Sequence, residues 1–104
     1  MDSELDKHSK LCPVRKALAI IGSKWAFIII MELQKPRRFN DLRRSIDDIS
    51  EKVLIDKLKL LEKSGFIARM DYKEIPPRVE YSLTSKGREV LKLIPTLSKI
   101  GKSL

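Results

Sequence analysis

A mainly α domain carrying one β-hairpin (α+β) is the fold class that the 104-residue sequence predicts. Three observations point to it. Apolar residues recur at helical spacing through residues 13–63, strict alternation replaces that period near residue 66, and helical spacing returns after residue 84. The length allows one modest core, and 42% hydrophobic residues in regular periods argue for a folded chain. Residues 1–11 read as an N-terminal arm and residues 12–104 as a single domain.

Each element has a local cause. Pro13, whose fixed φ suits a first helical position, opens the first predicted helix and Gly22 closes it. Val14, Ala17, Leu18 and Ile21 fall at i, i+3, i+4 and i+7, which predicts one buried face. Ser23 is the expected cap of a second helix, Lys24 to Gln34, whose apolar run from Trp25 to Met31 marks it as central to the core, with Trp25 as an anchor. Pro36 ends that helix, and Lys35, Arg37 and Arg38 make a short basic loop. Asn40 is the expected N-cap of a third helix that turns Phe39, Leu42 and Ile46 inward. A tight turn follows at Asp47 and Asp48, with Ile49 buried. Ser50 caps the fourth helix, Glu51 suits its positive end, Leu54, Leu58 and Leu61 form its inner stripe, and Gly65 stops it. Phe66, Ala68, Met70 and Tyr72 then alternate with Ile67, Arg69 and Asp71, as Val79, Tyr81 and Leu83 do with Arg78, Glu80 and Ser82. These are two strands of a hairpin joined by KEIPP, a loop stiffened by Pro76 and Pro77. A last helix begins near Thr84 on Val90, Leu91, Ile94, Leu97 and Ile100, and Pro95 predicts a kink or break within it.

Charge narrows the function. The formal charge of +8 is concentrated in residues 35–63, with nine Lys/Arg against six Asp/Glu, and in the last 21 residues, with five against one. Clustered positive charge is the footprint expected for a polyanion such as nucleic acid, although a solvated surface explains charge alone equally well. The longest apolar run is seven residues, far short of the roughly 18 to 20 needed to span a bilayer. A cytoplasmic protein with no membrane partner is therefore expected. A single cysteine excludes an intramolecular disulfide framework, and Cys12 with His8 cannot hold zinc without carboxylates or another chain. With one histidine and one cysteine there is little from which to build a catalytic centre, so neither enzyme nor cofactor is expected.

Two short helices joined by a tight turn and followed at once by a hairpin have the order of a winged helix-turn-helix DNA-binding domain. In such a unit the second helix can enter the major groove of double-stranded DNA while the hairpin, the wing, reaches the neighbouring backbone or minor groove. With the three leucines inward, a 100° wheel sends Lys52, Asp56, Lys59 and Lys63 to the outer side of the fourth helix. Near its start, Ser50, Lys52, Ile55 and Asp56 are the candidates for base edges: Ile55 for a thymine methyl, Asp56 for a cytosine amino group. Arg37, Arg38, Arg43, Arg44 and Lys59 are candidates for phosphates, with Lys73 and Arg78 at the wing tip.

The segments CPVRKALAIIGSKWAFIIIMEL, RRFNDLRRSIDDISEKVLIDKLKLLEKSGFI and PPRVEYSLTSKGREVL resemble the HxlR-type winged helix-turn-helix transcription regulators from Cys12 to about Gly101. The resemblance implies cytoplasmic homodimers on inverted repeats in promoters, with the fourth helix reading the major groove and the first and last helices making the dimer. Independently, Leu93, Ile94, Leu97 and Ile100 exceed what one helix on so small a core needs, which suggests either a partner surface or intramolecular packing. Several members of that family sense oxidants, quinones or aldehydes through a cysteine just before the first helix, the position that Cys12 matches. It would sit at the positive end of that helix, near Lys10, Arg15 and Lys16, as a candidate redox sensor. Ile55 and Asp56 depart from the polar or basic residues common there, so no operator sequence carries over. Two other classes stay open: a winged-helix module for protein contacts, and a nonspecific architectural nucleic-acid binder.

Overall fold

The strongest local signals fold as their chemistry dictates. In a computed structural model that describes residues 12–104, Ser23 accepts the Ala26 N–H on its side-chain oxygen at 3.2 Å and opens helix α2 (Lys24–Glu32). Ala26, Ile29 and Ile30 of that helix are wholly buried, and Trp25 packs against the core with the Lys24 ammonium 4.4 Å from its ring centre. The arm assigned to residues 1–11, with His8 and Lys10, lies outside the described residues. Before α2 runs α1 (Cys12–Ile21). After it come β1 (Arg37–Arg38), α3 (Phe39–Ser45), α4 (Glu51–Lys63), β2 (Ile67–Asp71), β3 (Val79–Leu83), α5 (Ser85–Leu91) and α6 (Ile94–Lys102).

The sheet is antiparallel in the order β1-β3-β2. Ile67 pairs with Leu83, Arg69 with Tyr81 and Asp71 with Val79, while Arg37 faces Tyr81 and Arg38 faces Glu80. Partners opposite each other share a face, so Ile67 and Leu83 enter the core together whereas Ala68 and Met70 stay exposed. The hairpin closes where the Tyr72 N–H donates to the Arg78 carbonyl at 3.0 Å. Leu42, Leu54, Leu58 and Leu61 join Ile29, Ile30 and Leu33 as fully buried side chains beneath this sheet. They fix α3 and α4 against α2.

Five expectations need correction. Cys12 is already helical in α1, so Pro13 does not open that helix. Of its predicted inner face only Ile21 is buried; Val14 and Leu18 are 48% and 54% exposed, because nothing in the described chain covers that side. Helix α2 stops at Glu32 instead of Gln34, with the Leu33 N–H donated to the Ile29 and Ile30 carbonyls. The basic loop is strand β1 over Arg37 and Arg38. That pairing holds Arg38 extended (φ −81, ψ 160), so α3 starts immediately at Phe39 with Arg38 in the cap position and no side-chain cap, and Asn40 lies inside the helix. At the other end the chain does break near Pro95. α5 ends at Leu91, and α6 restarts with Pro95 in its first turn, where a missing N–H leaves no bond unmade.

Candidate nucleic-acid interface

Helix α4 presents two unlike sides. Leu54, Leu58 and Leu61 are buried, and Lys52, Ile55, Asp56, Lys59, Glu62 and Lys63 are exposed. Ser50, in extended backbone, accepts the Val53 N–H at 3.1 Å and so sets where the helix begins. Accepting that bond leaves the hydroxyl proton available, so capping and donation to a base are compatible. Lys52 donates to Asp56 at 3.0 Å one turn on, both side chains in solvent. The candidate base-reading residues thus lie together on the outer side of the first two turns, and two of them form one ion pair.

The proposed phosphate contacts divide into three groups. Arg37 turns inward: its Nε donates to the Glu32 carbonyl at 2.6 Å and its guanidinium lies 3.9 Å from the Glu32 carboxylate, so it closes the end of α2. Arg43 and Arg44 carry surface partners, Glu51 at 3.6 Å and Asp41 at 2.7 Å. Such exposed pairs exchange readily for a phosphate because each contributes only about 0 to 1 kcal/mol. Arg38 and Lys59 are exposed on the same side of the molecule as the wing. Arg38 borders a hollow of about 350 Å³ with Asn40, Arg44 and Pro77. Ile55 and Lys59 border another of about 540 Å³ with Arg69, Val79 and Tyr81. The sheet therefore rises beside the outer side of α4. Arg69 and Tyr81 have no local sequence signal for this role, because only the strand register puts them opposite each other.

At the wing, Lys73 adopts φ 56 with its N–H donated to Asp71 Oδ1 at 2.9 Å, a side-chain turn that admits a left-handed residue. The Arg78 guanidinium lies 3.6 Å from the Tyr72 ring centre, and its Nε is 3.0 Å from Glu74. The Tyr72 hydroxyl donates to Glu80 at 2.8 Å. That bond holds the phenol protonated above the ordinary value of 10.0, desolvation and the Glu80 charge adding to it and the Arg78 charge opposing it. Cys12 is exposed in α1. Leu93, Leu97 and Ile100 are exposed at 50%, 45% and 53%, and Ile94 is half-buried. Among the described residues, no helix is long and apolar enough to cross a membrane and no group of three or more His, Cys, Asp or Glu could hold a metal ion.

A helix-turn-helix whose second helix turns lysines outward beside an antiparallel hairpin defines the winged helix-turn-helix class. Residues 20–104 match the family described as HxlR-like helix-turn-helix. The chain belongs to that family and is a helix-turn-helix transcription regulator. It is 42% identical over 88 residues to the HTH-type transcriptional regulator YtfH of Escherichia coli strain K12, a span covering 84% of this chain and 70% of YtfH. Its fold is similar to that of a transcriptional regulator from Porphyromonas gingivalis W83 assigned to the MarR family, with a TM-score of 0.83 and 45% identity over 90% of this chain and 93% of that one. The redox regulator HypR in its oxidized form is similar at a TM-score of 0.82 and 36% identity, over 89% of this chain and 97% of HypR.

Proposed function

We propose that the protein is a cytoplasmic, sequence-specific regulator that binds an inverted-repeat operator as a homodimer and responds to oxidants or electrophiles at Cys12. The observation that carries the DNA reading is the exposed, lysine-rich side of α4 lying beside the wing, opposite a stripe of buried leucines. In this reading α4 enters the major groove with Ser50, Lys52, Ile55 and Asp56 toward the bases. The Lys52 and Asp56 pair suits a G·C step, lysine on the guanine acceptors and carboxylate on the cytosine amino group. Arg38, Arg43, Arg44 and Lys59 hold phosphates around it, and Lys73 and Arg78 do so from the wing.

The dimer reading rests on apolar surface that the chain leaves uncovered. α6 has no buried residue, α1 has one, and a hollow of about 250 Å³ between α2 and α6 is lined by Phe27, Ile28, Met31, Ile94 and Leu97. Apolar surface exposed on that scale marks an association site. A second copy brings an equivalent face by two-fold symmetry, as an inverted repeat requires. Cys12 lies in α1, the helix whose Val14 and Leu18 belong to that uncovered surface, so modification of its sulfur would act on an element of the proposed seam. That HypR is a redox regulator solved in both oxidized and reduced forms supports this part of the reading.

The test is to incubate reduced protein with sheared genomic duplex at near-physiological salt, recover the bound fraction and sequence it. Enriched fragments sharing an inverted repeat, with half-sites about one helical turn or about 34 Å apart, are expected. Uniform recovery, or none, would favour a nonspecific binder or a protein-contact module. Cys12→Ser should keep operator binding and lose the response to electrophiles; an undiminished response would remove Cys12 from the mechanism.

A further inference from the structure

The wing ends in a side chain that folding does not need. Ile75 is 99% exposed, more than any other large apolar residue of the described chain except the terminal Leu104. Its neighbours hold it out firmly. The loop is closed by the Tyr72 to Arg78 backbone bond, turned by Asp71 at Lys73, braced by Arg78 stacked on Tyr72 and paired with Glu74, and followed by Pro76 and Pro77. Two prolines leave little conformational freedom to lose on binding. At the base of the loop, Pro77 and Val79 border the hollow shared with Arg38 and Arg44, and Val79 also borders the hollow with Ile55 and Lys59, so the loop rises beside both α3 and α4.

We infer that Ile75 is an apolar wedge for the minor groove beside each half-site, entering against the sugars and a base step while Lys73 and Arg78 grip the phosphates on either side. The inference rests on the DNA-binding reading above and adds to it a residue that deforms the duplex. A minor groove about 6 Å wide admits one side chain at a time, and Ile is among the residues that unstack a base step there and bend the helix toward the major groove. A protein partner fits this tip poorly. One isoleucine flanked by Lys73, Glu74 and Arg78 is far from the roughly 800 Å² per partner of a stable protein interface. Because the cost of unstacking depends on the step, the wedge reads sequence without hydrogen bonds. It favours flexible TA or CA/TG steps in the operator flank.

The experiment uses the full chain and an end-labelled duplex fragment recovered in the genomic selection, with affinity measured across salt concentrations and bending followed by energy transfer between the ends. Ile75→Ala should fold as the wild type does by circular dichroism. It should bind roughly tenfold more weakly, because less apolar area leaves water on binding, with an unchanged salt slope and a smaller bend. Ile75→Lys should also bend the duplex less, whereas Lys73→Ala should keep the bend and lower the salt slope by about 1 for the phosphate it no longer neutralises. Replacing a flanking TA step by a stiff A-tract should weaken the wild type and leave Ile75→Ala almost unaffected. Equal affinity and bend for wild type and Ile75→Ala overturn the wedge alone. So does tighter, more salt-dependent binding by Ile75→Lys with the bend intact, since the tip would then lie along phosphates. Wild-type protein that binds no duplex overturns the DNA-binding reading itself, and the wedge with it.

Discussion

Helix α4 and the wing flank one groove, yet they are held in place by opposite means. Three leucines, each at most 2% exposed, seat α4 in the core, and its outer side chains ride on a rod whose position is set from beneath. The hairpin is seated at its base by the buried Ile67 and Leu83 pair, with Tyr81 packed beside the core and β1 paired to β3; beyond Arg69 its backbone ladder carries side chains that interact only in solvent, Tyr72 with Glu80, Arg78 with Tyr72 and Glu74, and Asp71 with the Lys73 N–H. Burial fixes a helix whatever the pH or salt, because it scales with area removed from water. Surface hydrogen bonds and ion pairs are individually weak and respond to both. One arm of the interface is therefore inseparable from folding, and the other can be altered while the domain stays intact.

The largest effect should come from the α4 side. Leu54 is wholly buried, and Leu54→Ala should cost about 2 to 5 kcal/mol from lost transfer energy and the cavity left behind. Denaturant unfolding measures it. A loss well under 1 kcal/mol would mean that α4 is not seated by its leucines, and the contrast with the wing would fail. The base of the wing comes next. A Cβ on Gly87 would run into the Phe66 carbonyl oxygen and crowd Leu83, where the start of α5 presses on the foot of the hairpin. Gly87→Ala should cost about 1 to 3 kcal/mol, as overpacking does when backbone must shift. An unperturbed variant would show that this seam is loose and that the wing's foot is no anchor.

The same division explains which features are legible in the sequence. Caps are local chemistry, so the roles of Ser23 and Ser50 follow from the residues around them, as does the leucine stripe of α4. Strand β1 does not: two arginines carry no strand signal, and only pairing with Tyr81 and Glu80, more than forty residues away, makes them extended. That pairing also displaces the start of α3 from the position Asn40 suggests, and it directs Arg37 to the end of α2, away from the outer basic side. Gly87 matters through a tertiary approach to Phe66, which no local pattern records. The apolar face of α1 is visible as a period, but a period shows that a face wants cover and not what supplies it. At the site, the helical wheel places the lysines of α4 correctly. The ion pair of Lys52 with Asp56 is an i,i+4 pair that the same wheel allows, whereas the hollow involving Arg69 depends on strand register, which lies beyond any local period.

A smaller effect separates the end of α4 from its middle. Ser50→Ala removes the oxygen that accepts the Val53 N–H and should cost about 1 kcal/mol, less than the core leucine and measurable by the same unfolding curves. Because the cap also sets the first turn, the variant should lose more operator affinity than stability alone explains. Ser50→Asp, which restores a capping acceptor, should recover stability but not affinity, since a carboxylate there faces phosphate. Recovery of both would assign Ser50 to helix initiation alone.

The smallest effect belongs to the wing and tests its polar bracing directly. Deprotonating Tyr72 would put a phenolate against the Glu80 carboxylate, so folding keeps the proton on and the folded-state pKa lies above the ordinary 10.0. The sign follows from linkage. A group whose pKa is raised by folding stabilises the folded form fully below its unfolded pKa, and that stabilisation fades as pH climbs through the folded value. Tyr72→Phe, which removes the proton and the bond together, should therefore be slightly less stable than wild type by a constant amount up to about pH 9. The difference should shrink only as pH passes about 10 and beyond; subtracting the two curves cancels the lysines, which titrate in both proteins. Tyrosinate absorbance gives the independent reading, since the chain has two tyrosines and the variant keeps only Tyr81. If the absorbance missing from the variant titrates at the ordinary 10.0 or below, the Tyr72 to Glu80 bond does not persist in solution. The wing would then lose one side-chain brace and keep its backbone pairing, Arg78 and the Asp71 turn, which weakens the rigid tip without touching α4.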